Sequence, residues 1–297
     1  MPKVDRTAIS LLIIATFLWA SSFILIKIGL TEVPPVTLAT LRFVFASMIF
    51  LAMVLWKYET SHVIDYLKDN WIMLSVIGFT GIFLPNVFQN WGMQYTTAYV
   101  SSIIQATGPI FTAILATAFL GESLGYKKAG GALLALFGAV MISSNGNLLL
   151  LIELTDYSFG NLLLLGSAIS YGFYTVFSKA KLEKDEPLMV VSLSTILGTL
   201  ILLLFLPFVE PIHEIANLSS FMWIVVIVLA IFPTAIAYFL WFDVLKRMEA
   251  SKASFFIFLI PVFTTILAWL ILSEAISLFV VINGILIILG VGLASTE

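Results

Sequence analysis

The side chains that could do chemistry in this chain are few, and they sit within long apolar runs. Asn86, Gln89 and Asn90 follow Pro85 at spacings that place three amides on one helix face. Uncompensated amides are costly in hydrocarbon, so this face is expected to point into a bundle or a wet cavity. At a constant shift of 152 residues the equivalent positions hold Tyr238, Trp241 and Phe242. An amide wall opposite an aromatic wall suits a zwitterionic or amphipathic metabolite, with the amides bonding its polar end and the rings covering its apolar end. The competing use of such amides is to bond neighbouring helices.

The same shift carries Trp19 and Ser22 onto Tyr171 and Tyr174, and Ser101 with Gln105 adds a further polar stripe. These residues could complete the cavity or serve ordinary packing. Arg42 lies about two turns into an apolar segment, where an isolated charge demands a partner or water. It could anchor a substrate carboxylate, bond freed backbone carbonyls, or snorkel to the interface. Pro109 and Pro261 lie inside apolar helices and each removes one backbone hydrogen bond, so kinks that shape a site or act as hinges are expected there. Glu122 and Glu274 end equivalent segments, as do Lys27 and Lys179. One expectation is a pair of ionic latches, Lys27 with Glu274 and Lys179 with Glu122; the alternative is a carboxylate that is solvated or caps a helix end. Proton coupling would need an embedded carboxylate, and away from segment ends only Asp243 qualifies, so a coupling proton is left open.

Several chemistries lack their residues. The run from His213 to Asn217 lacks the second histidine of a zinc metalloprotease helix, and neither a Gly-x-Ser-x-Gly elbow nor a Walker motif is present. With no cysteine, disulfides, thiolate metal sites and cysteine nucleophiles are excluded. No enzymatic activity, metal or cofactor is expected. The net charge of -3 is spread in short clusters and forms no basic face, which argues against nucleic acid.

The elements that position these residues follow from hydropathy. Hydrophobic residues make up 61% of the 297 positions and charged residues 10%, with a mean hydropathy of +1.11, the composition of an integral membrane protein. The apolar runs are continuous and not alternating, so each reads as a helix. Ten are expected, at 7–28, 35–55, 71–93, 97–120, 126–144, 158–178, 187–208, 220–245, 250–272 and 276–294. The first is long enough to span and belongs to the repeat, so it is kept as a helix and not a cleaved signal.

Segments six to ten are segments one to five displaced by the same shift: PIFTAILA at Pro109 recurs as PVFTTILA at Pro261, and Lys27, Pro35, Ser102, Glu122 and Gly138 all recur. The expected domains are 1–145 and 153–297. Lys and Arg gather at alternate segment ends (Lys57 and Lys68; Lys127 and Lys128; Lys181 and Lys184; Lys246 and Arg247), which places both termini in the cytoplasm. Five is odd, so the second copy must cross the membrane upside down. Inverted repeats place a site near the bilayer midplane and let two related states open it to opposite faces.

The stretch from Gly92 to Leu124, followed by Gly130, Gly131 and Gly138, resembles the EamA-type unit of the drug/metabolite transporter superfamily. So does its echo from Lys246 to Gly290, and Trp19, Ser22, Lys27, Pro34 and Arg42 extend the likeness over nearly the whole chain. The second copy departs at Ser194, which stands for Arg42, and at Tyr171, which stands for Trp19. The resemblance implies ten helices, a cytoplasmic-membrane location, and export or exchange of a small metabolite such as an amino acid. Expected partners are that solute and membrane lipid; substrate, direction and oligomeric state are not legible. A passive pore and a scaffold are the rival readings, and a scaffold leaves the polar stripes without a reason.

Overall fold

In the computed structural model of the chain, the described residues are 6–123, 125–143, 156–211, 215, 217–272 and 278–294. Among them the structure is helical, without strands. The first half comprises α1 (Arg6–Gly29), α2 (Pro35–Lys57), α3 (Thr60–Gly78), α4 (Leu84–Tyr95), α5 (Ala98–Gln105), α6 (Gly108–Leu120) and α7 (Tyr126–Ser143). The second comprises α8 (Asp156–Leu182), α9 (Pro187–Val209), α10 (Ser220–Ala230), α11 (Ala237–Arg247), α12 (Ala250–Phe255), α13 (Leu259–Leu272) and α14 (Leu278–Ala294). Helix occupies each predicted segment. Eight of the helical runs are long and apolar enough to cross a membrane; α7 and α14, of 18 and 17 residues, lie outside that set. Exposed apolar side chains such as Leu162, Leu204 and Phe208 give the bundle a surface suited to lipid.

The third segment begins earlier than predicted. Helix starts at Thr60 and carries Asp65, Lys68 and Asp69 on an exposed charged turn before the apolar run, so hydropathy locates the span and not the helix start. Two π-helical turns, Phe79–Phe83 and Ile231–Ile236, join α3 to α4 and α10 to α11 at repeat-equivalent positions. Each holds or precedes a proline, whose missing N–H widens the turn.

The packing is duplicated along with the sequence. α4 lies on α8 and its mate α11 on α1; α6 lies on α8 and its mate α13 on α1; α3 lies on α9 and its mate α10 on α2. Two pairs of mates meet directly, α2 with α9 and α7 with α14. At the first crossing the equivalent residues Ser47 and Thr199 share a hydrogen bond of 2.8 Å between their hydroxyls. At the second the helices run antiparallel: Gly131 lies against Gly290 and Ala294, and Gly138 against Asn283 and Ile287. A Cβ on Gly131 would sit 2.5 Å from the Gly290 carbonyl oxygen, so this contact admits only backbone against backbone, as small-residue membrane interfaces do.

Candidate functional site

A cavity lies between the halves. Its walls come from α1, α2, α4, the break between α5 and α6, α8, α11 and the start of α13. Of the predicted cavity residues, Trp19, Ser22, Gln89, Gln105, Tyr171, Tyr174, Tyr238 and Trp241 line it. Arg42 lines it as well.

The aromatic wall is built by mutual contact. The Trp19 ring lies 5.1 Å from Trp241 and 5.8 Å from Tyr238, and Tyr238 is 6.1 Å from Tyr174, distances typical of tilted and edge-to-face pairs. The Tyr171 and Tyr238 hydroxyls lie 3.3 Å apart. Opposite chemistry comes from the amides: Gln105 donates to Gln89 Oε1 at 3.3 Å and to Ser167 Oγ at 2.7 Å, and Ser167 donates to the Pro85 carbonyl at 2.8 Å.

Arg42 is 4% exposed and its setting follows from Pro233. Proline has no N–H for the Leu229 carbonyl one turn earlier, and the Thr234 hydroxyl donates to that carbonyl instead, at 2.7 Å. The Thr234 oxygen then accepts from Arg42 Nε at 2.6 Å, while Arg42 Nη2 reaches the Pro233 carbonyl at 3.5 Å. Arg42 thus bonds a side-chain hydroxyl and, at longer range, the Pro233 carbonyl, while the carbonyl that Pro233 frees, that of Leu229, is taken by Thr234; the buried guanidinium does not snorkel.

Three predicted cavity residues are spent elsewhere. Asn86 donates to the Gly81 and Ile82 carbonyls, the first of which Pro85 leaves without its N–H. Asn90 donates to the Pro35 carbonyl at the start of α2, and Ser101 to Thr97 one turn back. Their helix face points inward as expected, but backbone carbonyls compete successfully for their donors.

The ionic latch between Lys179 and Glu122 is not formed. Lys179 Nζ donates to the Leu245 carbonyl at 3.0 Å, and Lys27 Nζ donates to the Met93 and Thr96 carbonyls at 2.9 and 2.8 Å. Met93 and Leu245 are repeat mates, so each lysine caps the carboxyl end of the equivalent helix, α4 or α11, where free carbonyls and the helix dipole favour a cation. Glu274 lies outside the described residues. Glu122 instead accepts from the Ala250 and Ser251 N–H groups at 2.6 and 3.0 Å, capping the start of α12.

The two interior prolines interrupt their helices instead of bending continuous ones. α5 stops at Gln105 and α6 starts at Gly108, before Pro109; α12 gives way to a 3-10 turn at Phe256–Phe258 before Pro261. Gln105 and Ile257, whose carbonyls lose their N–H partners to these prolines, both line the cavity. Asp243 is paired within its own helix with Arg247 at 2.7 Å. Residues that the pattern did not single out are Thr112, Thr175, Ile260 and Phe23, which complete the walls, and Thr234, which seats Arg42. The proline at 233 was the available signal for Thr234.

The model of the EamA-like transporter family matches residues 6–144 and again 158–296. An uncharacterized transporter of Archaeoglobus fulgidus is 31% identical over 97% of this chain and 96% of its own length. A protein of Streptantibioticus cattleyicolor described as a "probable terminal-alkyne amino-acid exporter" is 26% identical over 96% of this chain and 92% of its own. A solved crystal structure superposes with a TM-score of 0.80 at 21% identity, covering 98% of both chains, and shares the fold.

Proposed function

The chain belongs to the EamA-like transporter family, and from that premise we propose that it is a ten-span secondary carrier which moves a small organic metabolite by alternating access. The observation that carries the proposal is a cavity lined by repeat-equivalent pairs from both halves: Trp19 with Tyr171, Ser22 with Tyr174, Gln89 with Trp241. Halves of opposite orientation, joined by antiparallel mates such as α7 and α14, can rock about such a site and show it to either face. The lysine-rich ends form the cytoplasmic side of the cell membrane; in support, Lys181 at the end of α8 bonds Asn70 of α3 at 2.6 Å. The substrate class is an amino acid or related solute, in line with the exporter relative, and transport is export or exchange.

Reconstitution in liposomes with a panel of labelled amino acids and nucleosides tests the proposal. Saturable counterflow is expected; unsaturated conductance would mean a pore. Gln89→Ala is expected to raise the half-saturation concentration several-fold, because Gln89 faces the cavity. Asn90→Ala is expected to lower thermal stability with affinity unchanged, because its amide holds α4 to α2. Equal affinity shifts in the two variants would place the site elsewhere.

A further inference from the structure

Among the described residues the cavity carries one full charge, Arg42, and no counter-charge, and from that imbalance we infer that the preferred solute is an organic anion, bearing a carboxylate without a compensating ammonium on an apolar or aromatic body. The inference rests on the carrier reading but, of the two solute classes named there, keeps the related solute that lacks an ammonium and sets aside the free amino acid. Among the described residues no Asp or Glu lines the cavity, and Arg42 takes part in no ion pair. A guanidinium keeps its charge in proteins, and an isolated charge in a membrane interior is expensive. Thr234 and the Pro233 carbonyl solvate one edge of the guanidinium, but neither neutralises it. Nη1 has no hydrogen bond to any described residue, which leaves the outer fork free for the paired N–H contacts that a carboxylate accepts.

A second observation points the same way. The Tyr174 hydroxyl belongs to a cavity-lining residue that is 2% exposed, yet it has no hydrogen-bond partner among the described residues. It is a donor in want of an acceptor, beside rings that offer flat apolar faces. Bound in this cavity, an anion cancels the charge of Arg42, a zwitterion leaves it in place, and a cation adds to it. Trp19 and Trp241, 5.1 Å apart, then cover the body of the solute.

Binding of four compounds of similar size to the purified protein in nanodiscs tests this: 3-phenylpropionate and N-acetylphenylalanine as anions, phenylalanine as zwitterion, phenethylamine as cation. Tryptophan fluorescence and thermal shift give the affinities. The two anions are expected to bind at least about tenfold more tightly than the other two. Arg42→Gln is expected to erase that ranking, and Arg42→Lys to keep it at reduced affinity, since an ammonium lacks the planar fork. Should Arg42→Gln fail to fold, the wild-type ranking and Arg42→Lys decide. Equal or tighter binding of phenylalanine or phenethylamine, an unchanged ranking in the folded Arg42→Gln protein, or binding of none of the four would overturn the inference. Anion binding without counterflow in liposomes would strike down the carrier reading and leave this one standing; counterflow without a charge ranking would do the reverse.

Discussion

Trp241→Ala is expected to raise the half-saturation concentration for counterflow by at least about tenfold, equivalent to about 1.4 kcal/mol of binding. Trp241 is 1% exposed and lies in the middle of the aromatic wall, in contact with Trp19. Its truncation removes ring surface from the solute and lets Trp19 and Tyr238 collapse into the space, so the wall loses its shape along with its area. Loss of so large a side chain also costs stability, about 3–5 kcal/mol for a buried aromatic, and a control must separate the two effects. Phe242 supplies one: it is fully buried on the same helix, packs against Tyr174 at 5.6 Å, and does not line the cavity. Phe242→Ala should match the loss in thermal stability with a much smaller change in affinity, and Trp241→Phe should recover most of the affinity. If Phe242→Ala weakened the solute as much as Trp241→Ala, the aromatic wall would be scaffolding and not a binding surface.

Glu122→Ala and Glu210→Ala are expected to bias the carrier in opposite directions. Glu122 caps the start of α12, bonding Ala250 N–H, Ser251 N–H and the Ser251 hydroxyl, and so ties the first half to the second. Glu210 caps the start of α2 through the Val36 and Thr37 N–H groups at 2.9 and 2.7 Å and ties the second half to the first. The lysine-rich face carries the Glu122 contact, reinforced by a Lys128–Glu249 pair, and the opposite face carries the Glu210 contact, reinforced by Glu32 on Ser219. A hydrogen bond to a charged group contributes about 1.5–3 kcal/mol, so the loss of one cap shifts the ratio of open states by roughly 10- to 100-fold. The chain has no cysteine, and a single cysteine replacing the cavity residue Ser22 therefore reports without background. Labelling by an impermeant maleimide should rise from the cytoplasmic side in Glu122→Ala and from the outer side in Glu210→Ala. A shift to the same side in both variants would remove these caps from the gating cycle.

Much of this architecture is legible in the sequence because a membrane imposes it. Hydropathy gives the segments, and the repeat shift gives the pairing of Trp19 and Ser22 with Tyr171 and Tyr174 across the cavity. Buried amides are less legible: Asn86 and Gln89 read alike, yet Pro85 frees a carbonyl within reach of one and not the other. Charges at helix ends mislead for a related reason. Opposite signs at Lys179 and Glu122 suggest a pair, but each finds an unfilled helix terminus nearer, and backbone termini satisfy a lysine or a carboxylate as well as each other would. A signal for the lysine caps was present, since Lys27 and Lys179 stand at the same separation from Met93 and Leu245 at the ends of their target helices. The π-helical turns were not legible, because a proline in an apolar run is compatible with a kink, a break or a widened turn until its neighbours are known.

The orientation of the two halves bears the most weight, and repeat-equivalent cysteines measure it directly. Thr31 and Glu183 are related by the repeat shift and both are exposed at connections between helices. In intact cells, Thr31→Cys is predicted to react with an impermeant maleimide added outside, and Glu183→Cys only after the membrane is opened. Reaction of both from the same side would mean that the halves share one orientation, and a cavity shown alternately to either face would have no structural basis.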